Sequence, residues 1–452
     1  MAMDGSVDAA EYVHPDEYVY PDSLLVDEEK PSDEVKEEDG KSQEEAERLN
    51  YLREKRENKA KAIQRACERH DLDALVAYAT SEGGFIDDQL RRLAWPIILG
   101  CDREDNGHDL ARWEDLPRHD DEGQIRLDVD RSFVYYPRGE HDLMTVKKKK
   151  KTNAIDAVTD EELYVKRNEL TRLILQVLRN YPMLCYFQGY HDIAQVLLLV
   201  LGEEQAAPAV RQISLFRIRD YMLPSLTPAV KHLQLIPEII KKKDVELGLR
   251  LSTVQPFFAL ASTLTLYAHD VEEYADIARL FDFILAHEPI VTIYFFAAIV
   301  LSRKKELLAI PVDEPDILHV TLSKLPRPFD LEGLISYSME LFEEYPPESL
   351  PSSVWKRIPP SSVLKTSRTI FDDHTAHDAV ILFSEQTRQL RNEEMRNRVL
   401  SSVWRHRKAI GSVGLAILVA AVSFWIRRKG FDGMIWSYIG QFKGILRLWR
   451  KP

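Results

Sequence analysis

From about Ile86 to Tyr345 apolar residues recur at three- and four-residue spacing, as in EELYVKRNELTRLILQVLRNYP (161–182) and ADIARLFDFILAHEP (275–289). Sustained two-residue alternation bounded by turn pairs is scarce, so the pattern predicts an all-α chain. Two runs, IAQVLLLVL (193–201) and PIVTIYFFAAIVL (289–301), are apolar on every side. They are too short to cross a bilayer and are expected as buried core helices. From Glu44 to about His70 the chain reads as a charged helix without Gly or Pro, carrying a thin apolar stripe of Leu49, Leu52, Ala60, Ile63 and Cys67. No repeat of 20–50 residues is visible, which disfavours a solenoid. Residues 346–375 hold Pro347, Pro351, Pro359, Pro360 and several Ser, the composition of a linker. A polar, Arg-rich helix pattern follows to about Arg407.

Residues 409–426 (AIGSVGLAILVAAVSFWI) contain no charge and lie between Arg405, Arg407, Lys408 and Arg427, Arg428, Lys429. As a helix they would span about 27 Å, enough for a thin bilayer. A membrane span is the reading, with bases on both sides leaving orientation open. Beyond it, Phe431, Met434, Ile435, Tyr438, Ile439, Phe442, Ile445, Leu446 and Trp449 recur every three or four residues, an amphipathic pattern suited to a membrane interface or to packing on a soluble domain. The expected organisation is a disordered acidic tail (1–45), a charged helical prelude (46–80), a helical domain (84–345), a linker with a juxtamembrane basic helix (346–408), a transmembrane helix (409–426) and an amphipathic tail (430–452).

Charge sharpens this division. The net charge of −13 is carried by residues 1–45 alone, with sixteen Asp/Glu against three Lys. That segment is too poor in apolar clusters to offset its ordering entropy. Residues 401–452 carry ten Lys/Arg against Asp432, a local +9 that a membrane explains. Overall acidity argues against nucleic acid. Cys67, Cys101 and Cys185 are odd in number and widely spaced, which leaves no disulfide framework and no Cys metal pair and suits a reducing compartment. The N-terminus lacks a basic-then-apolar opening, so no secretory signal is read.

The chain has no G-x-x-x-x-G-K-[ST], no G-x-G-x-x-G after a strand, no G-x-S-x-G and no H-E-x-x-H. No motif therefore points to a bound nucleotide or a nucleophile. His374, His377 and Asp378 read as an exposed helix start rather than metal ligands. Three signals remain. In Leu90-Arg91-x-x-x-Trp95-Pro-Ile-Ile98-Leu-Gly100, Arg91 is expected on the polar side of a helix, Trp95 in the core and Gly100 at the C-terminal stop. In Ile125-x-x-Asp128-x-x-Arg131 the acid and base are three apart. On a helical turn the carboxylate could hold the guanidinium, or the two could form an ordinary surface ion pair. In Tyr186-Phe-Gln188-Gly189-Tyr-His-Asp192 the glycine allows close backbone approach to a ligand while the amide projects; a plain loop contact is the alternative. Asp192 falls in the first turn of the apolar helix, where it complements the dipole.

Taken in order, these residues resemble the TBC-domain family of Rab GTPase-activating proteins. Arg91/Trp95/Gly100 match R-x-x-x-W-x-x-L-x-G with Ile98 for Leu, Ile125/Asp128/Arg131 match I-x-x-D-x-x-R, and Tyr186/Gln188/Gly189/Asp192 match Y-x-Q-G-x-x-D. Arg279-Leu-Phe281-Asp282 matches R-x-[WFY]-D. With the C-terminal span, the chain looks like a branch of that family sited on the endoplasmic reticulum and directed at the Rab of ER-to-Golgi vesicle transport. The resemblance implies an enzyme activator supplying residues in trans: Arg131 as arginine finger, Gln188 as glutamine finger, Asp128 holding Arg131, and Tyr186, Gly189 and Asp192 shaping the Gln188 loop. Ile125, Arg91, Trp95 and Asp282 would support the site or contact the Rab. The partner would be a GTP-bound Rab that brings its own Mg²⁺, so no cofactor is expected of this chain, and the catalytic domain would face the cytosol. A membrane-tethered Rab-binding adaptor without catalysis is the competing reading, and a curvature-shaping tail a third. Departures from the family pattern are the Lys147–Lys151 run, read as a solvated loop or a contact for anionic lipid or the acidic tail, and the absence of Trp from Phe257–Thr265. The sequence sets neither the particular Rab nor an oligomeric state.

Overall fold

The computed structural model describes residues 33–101, 111–136, 159–351, 353–367 and 375–405. These residues contain helices and turns and no strand, in agreement with the all-α expectation. Residues up to Asn58 form one unit and residues from Lys59 a second. Helix α1 runs Asp33–Glu68. Residues 33–45, expected to be disordered, are thus helical; Glu, Lys and Gln are good helix formers, and acidic residues suit a helix N-terminus.

The second unit begins with the end of α1 and with α2 (Leu72–Thr80) and α3 (Asp88–Ile98). Asp71 and Asp87 cap these two, accepting from the Ala74 and Leu90 N–H groups at 3.0 Å each. Helix α3 stops where the sequence placed the stop, with Gly100 at φ +65°. Helix α4 (Glu122–Val129) precedes α5 (Asp160–Asn180), which opens with a capping box between Thr159 and Glu162. Then come α6 (Tyr190–Leu201) and α7 (Glu203–Phe216). Three short helices follow, α8 (Thr227–Leu233), α9 (Leu235–Lys243) and α10 (Val245–Leu251), then α11 (Leu260–Leu264). Next are α12 (Tyr274–Ala286), α13 (Val291–Ser302), α14 (Lys304–Ala309), α15 (Pro315–Leu322) and α16 (Leu331–Glu344).

The two runs that are apolar all round become α6 and α13, and both are core helices. Every residue of α13 from Val291 to Leu301 is buried, and in α6 only Asp192 is not. Neighbouring helices cover α13, chiefly α16 and α9, while α6 packs on α3, α5, α7 and α12.

The segment expected to be a linker is instead part of the packed fold. Two short helices, α17 (Val354–Arg357) and α18 (Val363–Thr366), bury Val354, Trp355, Ile358, Val363 and Leu364 in the core. Helix α19 (Ala376–Arg405) then packs on α7, and its first half buries Ala379, Phe383 and Leu390. Proline and serine set the turns here, but the apolar residues between them are enough to dock the chain, so the compact unit runs well past Tyr345. The helix start at His377–Asp378 is as expected: Asp378 accepts from the Thr375 N–H at 2.9 Å, and His377 is exposed. No group of metal-ligating side chains occurs among the described residues. None of the described helices is long and apolar enough to cross a membrane. The uncharged stretch 409–426, the tail 430–452 and Lys147–Lys151 lie outside the described residues.

One buried polar centre ties distant elements together. Arg91 is 4% exposed, not on the polar side of α3 as its helix position suggested, because Asp282 of α12 faces it. The Asp282 carboxylate, wholly buried, accepts from Arg91 Nε at 3.0 Å, Trp95 Nε1 at 2.8 Å and the Phe85 N–H at 3.0 Å. Asp88 takes Arg91 Nη1 at 3.0 Å and the Tyr274 hydroxyl at 2.6 Å. Arg279, one turn before Asp282, binds Glu332 of α16 at 2.7 Å and the Ala79 carbonyl at 2.9 Å.

Removing one member of such a centre leaves a buried charge uncompensated. Asp282→Asn is expected to lower stability by about 3–5 kcal/mol, measured by urea unfolding at pH 7; a loss within experimental error would show that the centre is not a keystone. A second expectation concerns acid. Burial, with the Arg217 charge added, holds His287 down at about 4, while its Nε2 lies 2.7 Å from the Thr80 hydroxyl. A histidine depressed in the fold contributes fully above its ordinary value of 6.5, and that contribution is lost as pH falls towards 4. The unfolding midpoint should therefore drop across that window, and His287→Gln should flatten the drop.

Candidate functional site

Helix α4 ends at Val129, with Asp130 as its C-cap, and the chain turns so that Arg131 stands exposed just beyond the helix. Two bonds pin the segment that follows. The Phe133 N–H, at a residue with φ +65°, donates to Gln195 of α6 at 3.0 Å, and the Tyr136 hydroxyl donates to the Ala268 carbonyl at 2.5 Å. The Arg131 backbone is thus held while its guanidinium forms no ion pair among the described residues.

That corrects the expected Asp128–Arg131 pair. The three-residue rule holds only where both residues are helical, and α4 stops between them. Asp128, 2% exposed, accepts instead from Gln124 Nε2 at 2.8 Å and from the Tyr186 hydroxyl at 3.0 Å. Burial, reinforced by that carboxylate, pushes the Tyr186 phenol well above its ordinary range, so it remains a donor. His191 Nδ1 lies 3.1 Å from the same hydroxyl, and burial holds His191 below its usual value.

The loop between α5 and α6 is fixed at several points. The Cys185 N–H donates to the Met222 carbonyl at 2.8 Å and the Tyr186 N–H to Asp121 at 2.9 Å, while Phe187 is buried. Gln188 is exposed and its amide has no partner among the described residues. Gly189 opens α6 at φ +101°, and a Cβ there would lie 2.5 Å from Thr265 Cγ2. Only glycine fits this turn, and the turn is what projects Gln188. Asp192 sits in the first turn of α6, as expected, 3.3 Å from His191 Nε2 and 3.2 Å from His269 Nδ1. The hydrogen bond to Asp192 raises His269.

Arg131 and Gln188 line one open cleft of about 690 Å³, together with Asp128, Gly189 and Asp192. Its far wall is apolar, built from Phe257, Leu260 and Leu264 on and before α11, and Phe257 is 48% exposed there. Among the described residues Arg131 is the one Lys or Arg lining it. Ile125, fully buried, and Tyr186 stand behind this surface. Arg91, Trp95 and Asp282 do not reach it; they belong to the buried centre described above. The sequence reading missed Gln195, Thr265 and His269, which act across long separations and carry no spacing signal, and also Gln124 and His191, whose partners are near in sequence: Gln124 meets Asp128 at the i,i+4 spacing of a helix, a signal that was there to be read.

Among the described residues the cleft thus carries one unpaired guanidinium and one unpaired amide, each on a hydrogen-bonded turn. The Rab-GTPase-TBC domain matches residues 88–308, which include every residue of the cleft. The chain belongs to the family of TBC-domain Rab GTPase-activating proteins. It is 32% identical over 328 residues to the GTPase-activating protein gyp10 of Schizosaccharomyces pombe, covering 72% of this chain and 82% of that one. It is also 34% identical over 304 residues to TBC1 domain family member 20 of Bos taurus, covering 66% of this chain and 70% of that one, and 33% identical to the Homo sapiens protein of the same name over the same length and coverage.

Gly189→Ala should disturb the Gln188 turn, since it adds strain of about 1–3 kcal/mol at a positive φ as well as a clash with Thr265. Thr265→Ser, which removes the clashing methyl, should recover part of the lost stability but not the part owed to φ. Thermal unfolding of the single and double variants reads this, and full recovery or none would contradict the geometry.

Proposed function

We propose that this protein accelerates GTP hydrolysis by a Rab GTPase of early secretory traffic, with Arg131 as arginine finger and Gln188 as glutamine finger. The observation that carries this reading is that the two side chains are exposed, unpartnered among the described residues, and share one cleft. Phosphoryl transfer passes through a loose transition state that needs positive charge near the γ-phosphoryl and leaving oxygens, and a positioned attacking water. The Rab brings GTP and Mg²⁺. Arg131 supplies the charge, and its planar fork suits phosphate oxygens in a way a lysine would not. The Gln188 amide can accept from the water and donate to an oxygen, which orients the attack. Asp128 serves the Gln188 loop through Tyr186, with no direct hold on Arg131. The apolar wall around Phe257 suits the body of a docked protein.

The membrane part of the proposal rests on sequence. The uncharged stretch 409–426 between two clusters of three bases supports a C-terminal anchor in the endoplasmic reticulum or an early secretory membrane, with the cleft on the cytosolic side. The names of the gyp10 and TBC1 domain family member 20 relatives support the GTPase-activating reading.

The test is single-turnover GTP hydrolysis by a panel of purified Rabs with catalytic amounts of the detergent-solubilised full chain. Stimulation of an ER-to-Golgi Rab is expected. Arg131→Ala and Arg131→Lys should each reduce it by about 10³–10⁵, and Gln188→Ala should collapse it too. A folded protein that binds a Rab but stimulates none would sink the catalytic reading in favour of an adaptor. A chain ending at Arg405 should keep the stimulation and leave the membrane fraction; retention on membranes would refute the anchor.

A further inference from the structure

The segment beyond the family-matching region closes on a second buried polar centre. Arg219 and Asp220, both fully buried, lie in the turn between α7 and α8. Asp220 Oδ1 accepts from Gln386 Nε2 of α19 at 2.6 Å and from the Val363 N–H at 3.1 Å. Asp220 Oδ2 accepts from the Ser362 hydroxyl and lies 2.9 Å from His232 Nε2. Arg219 Nε donates to Gln386 Oε1 at 2.8 Å, and its Nη2 to the Ser361 carbonyl at 2.8 Å. Burial would raise the Asp220 carboxyl, but the surrounding donors and charges outweigh it and hold it at about 2. The Asp/His/Ser grouping is sealed from solvent, with His232 and Ser362 at most 1% exposed, so it is scaffold and no nucleophile.

This centre is one residue from the wall of the Gln188 loop. The Tyr221 ring, next to Asp220, packs edge-on against Phe187, with centroids 6.2 Å apart. Met222 receives the Cys185 N–H at 2.8 Å. Phe187 precedes Gln188 and itself lines the cleft. The backing of the Gln188 loop is thus held from the far side by Ser361, Ser362, Val363 and Gln386, all outside the 88–308 match.

We propose that Gln386 and Asp220 are positioning residues for Gln188: α19 clamps the Arg219–Met222 turn, and that turn, through Tyr221 and Met222, sets the Phe187–Gln188 backbone. The proposal rests on the glutamine-finger reading for its kinetic consequence but not for its structural one. The Pro/Ser-rich stretch together with α19 becomes part of the catalytic architecture. A fragment cut at the edge of the family match would hold Arg131 yet lack the support of Gln188.

Two variants of the full chain separate this from a general loss of fold. Gln386→Leu cuts the clamp at its outer end. Tyr221→Leu cuts it in the middle and leaves the Asp220 bonds in place. By hydrogen–deuterium exchange, both should raise exchange at Cys185 and Tyr186, whereas only Gln386→Leu should loosen residues 361–367. In the GTPase assay, each should lower kcat roughly ten- to a hundredfold while KM for the Rab changes less than about twofold, as for a misplaced catalytic group. The double variant should be no worse than the stronger single one. Unchanged exchange at Cys185 and Tyr186 in both folded variants overturns the proposal, as does a loss confined to KM. If the wild-type chain stimulates no Rab while the exchange results hold, the clamp stands and the function proposed above falls instead.

Discussion

A single carboxylate, that of Asp282, governs where everything else in this fold can be. It is wholly buried and answers three donors from another part of the chain, Arg91, Trp95 and the Phe85 backbone. A charge in that position is tolerable only when paired and fully hydrogen-bonded, so it admits one arrangement of α3 against α12. Helix α6 packs on both of these helices. Its first residue follows the Gly189 turn, and the place of Gln188 is therefore inherited from an ion pair that never meets solvent.

The cleft repeats this division of labour on a smaller scale. The charged and polar groups that look most chemical in the sequence, Asp128, Asp192 and Tyr186, are engaged with one another or with histidines and serve as supports. The two groups without partners among the described residues, Arg131 and Gln188, stand on segments pinned nearby: the Phe133 N–H on Gln195, the Tyr136 hydroxyl on Ala268, the Cys185 N–H on Met222. Such holding fixes the backbone beneath the two side chains and leaves their own rotamers free.

What could be read from the sequence was what depends on near neighbours. The period of the apolar residues gave the helices, and the two continuously apolar runs became α6 and α13, because a helix with no polar face has nowhere to go but the core. Gly100 and Asp192 did at helix ends what residue type and position suggested. Three of the misreadings share one cause, a partner or boundary far away or outside the local rule. Arg91 looked like a surface residue because the partner that covers it, Asp282, is 191 positions distant, while Asp88 three residues before it is a pair that a surface helix could equally make. Asp128 and Arg131 looked paired because three-residue spacing assumes a helix, and α4 ends between them. Residues 346–375 looked like a linker because Pro and Ser report turns and say nothing about the Trp355 and Leu364 side chains that pack between them.

The long reach of both buried centres has a consequence for how the chain is made. Synthesis delivers N-terminal segments first. Arg91 and Trp95 emerge well before the Asp282 they require, and Arg219 and Asp220 wait 167 and 166 residues for Gln386. Until those arrivals, a nascent chain has both polar centres incomplete, Arg91 with Asp88 alone and Asp220 without Gln386, and the apolar helices α6 and α13 without their full cover. Closure is consequently late, and α19 is the last clasp to arrive. The uncharged stretch at 409–426 leaves the ribosome directly after it. No N-terminal piece of the chain that stops short of Gln386 therefore holds both buried centres complete.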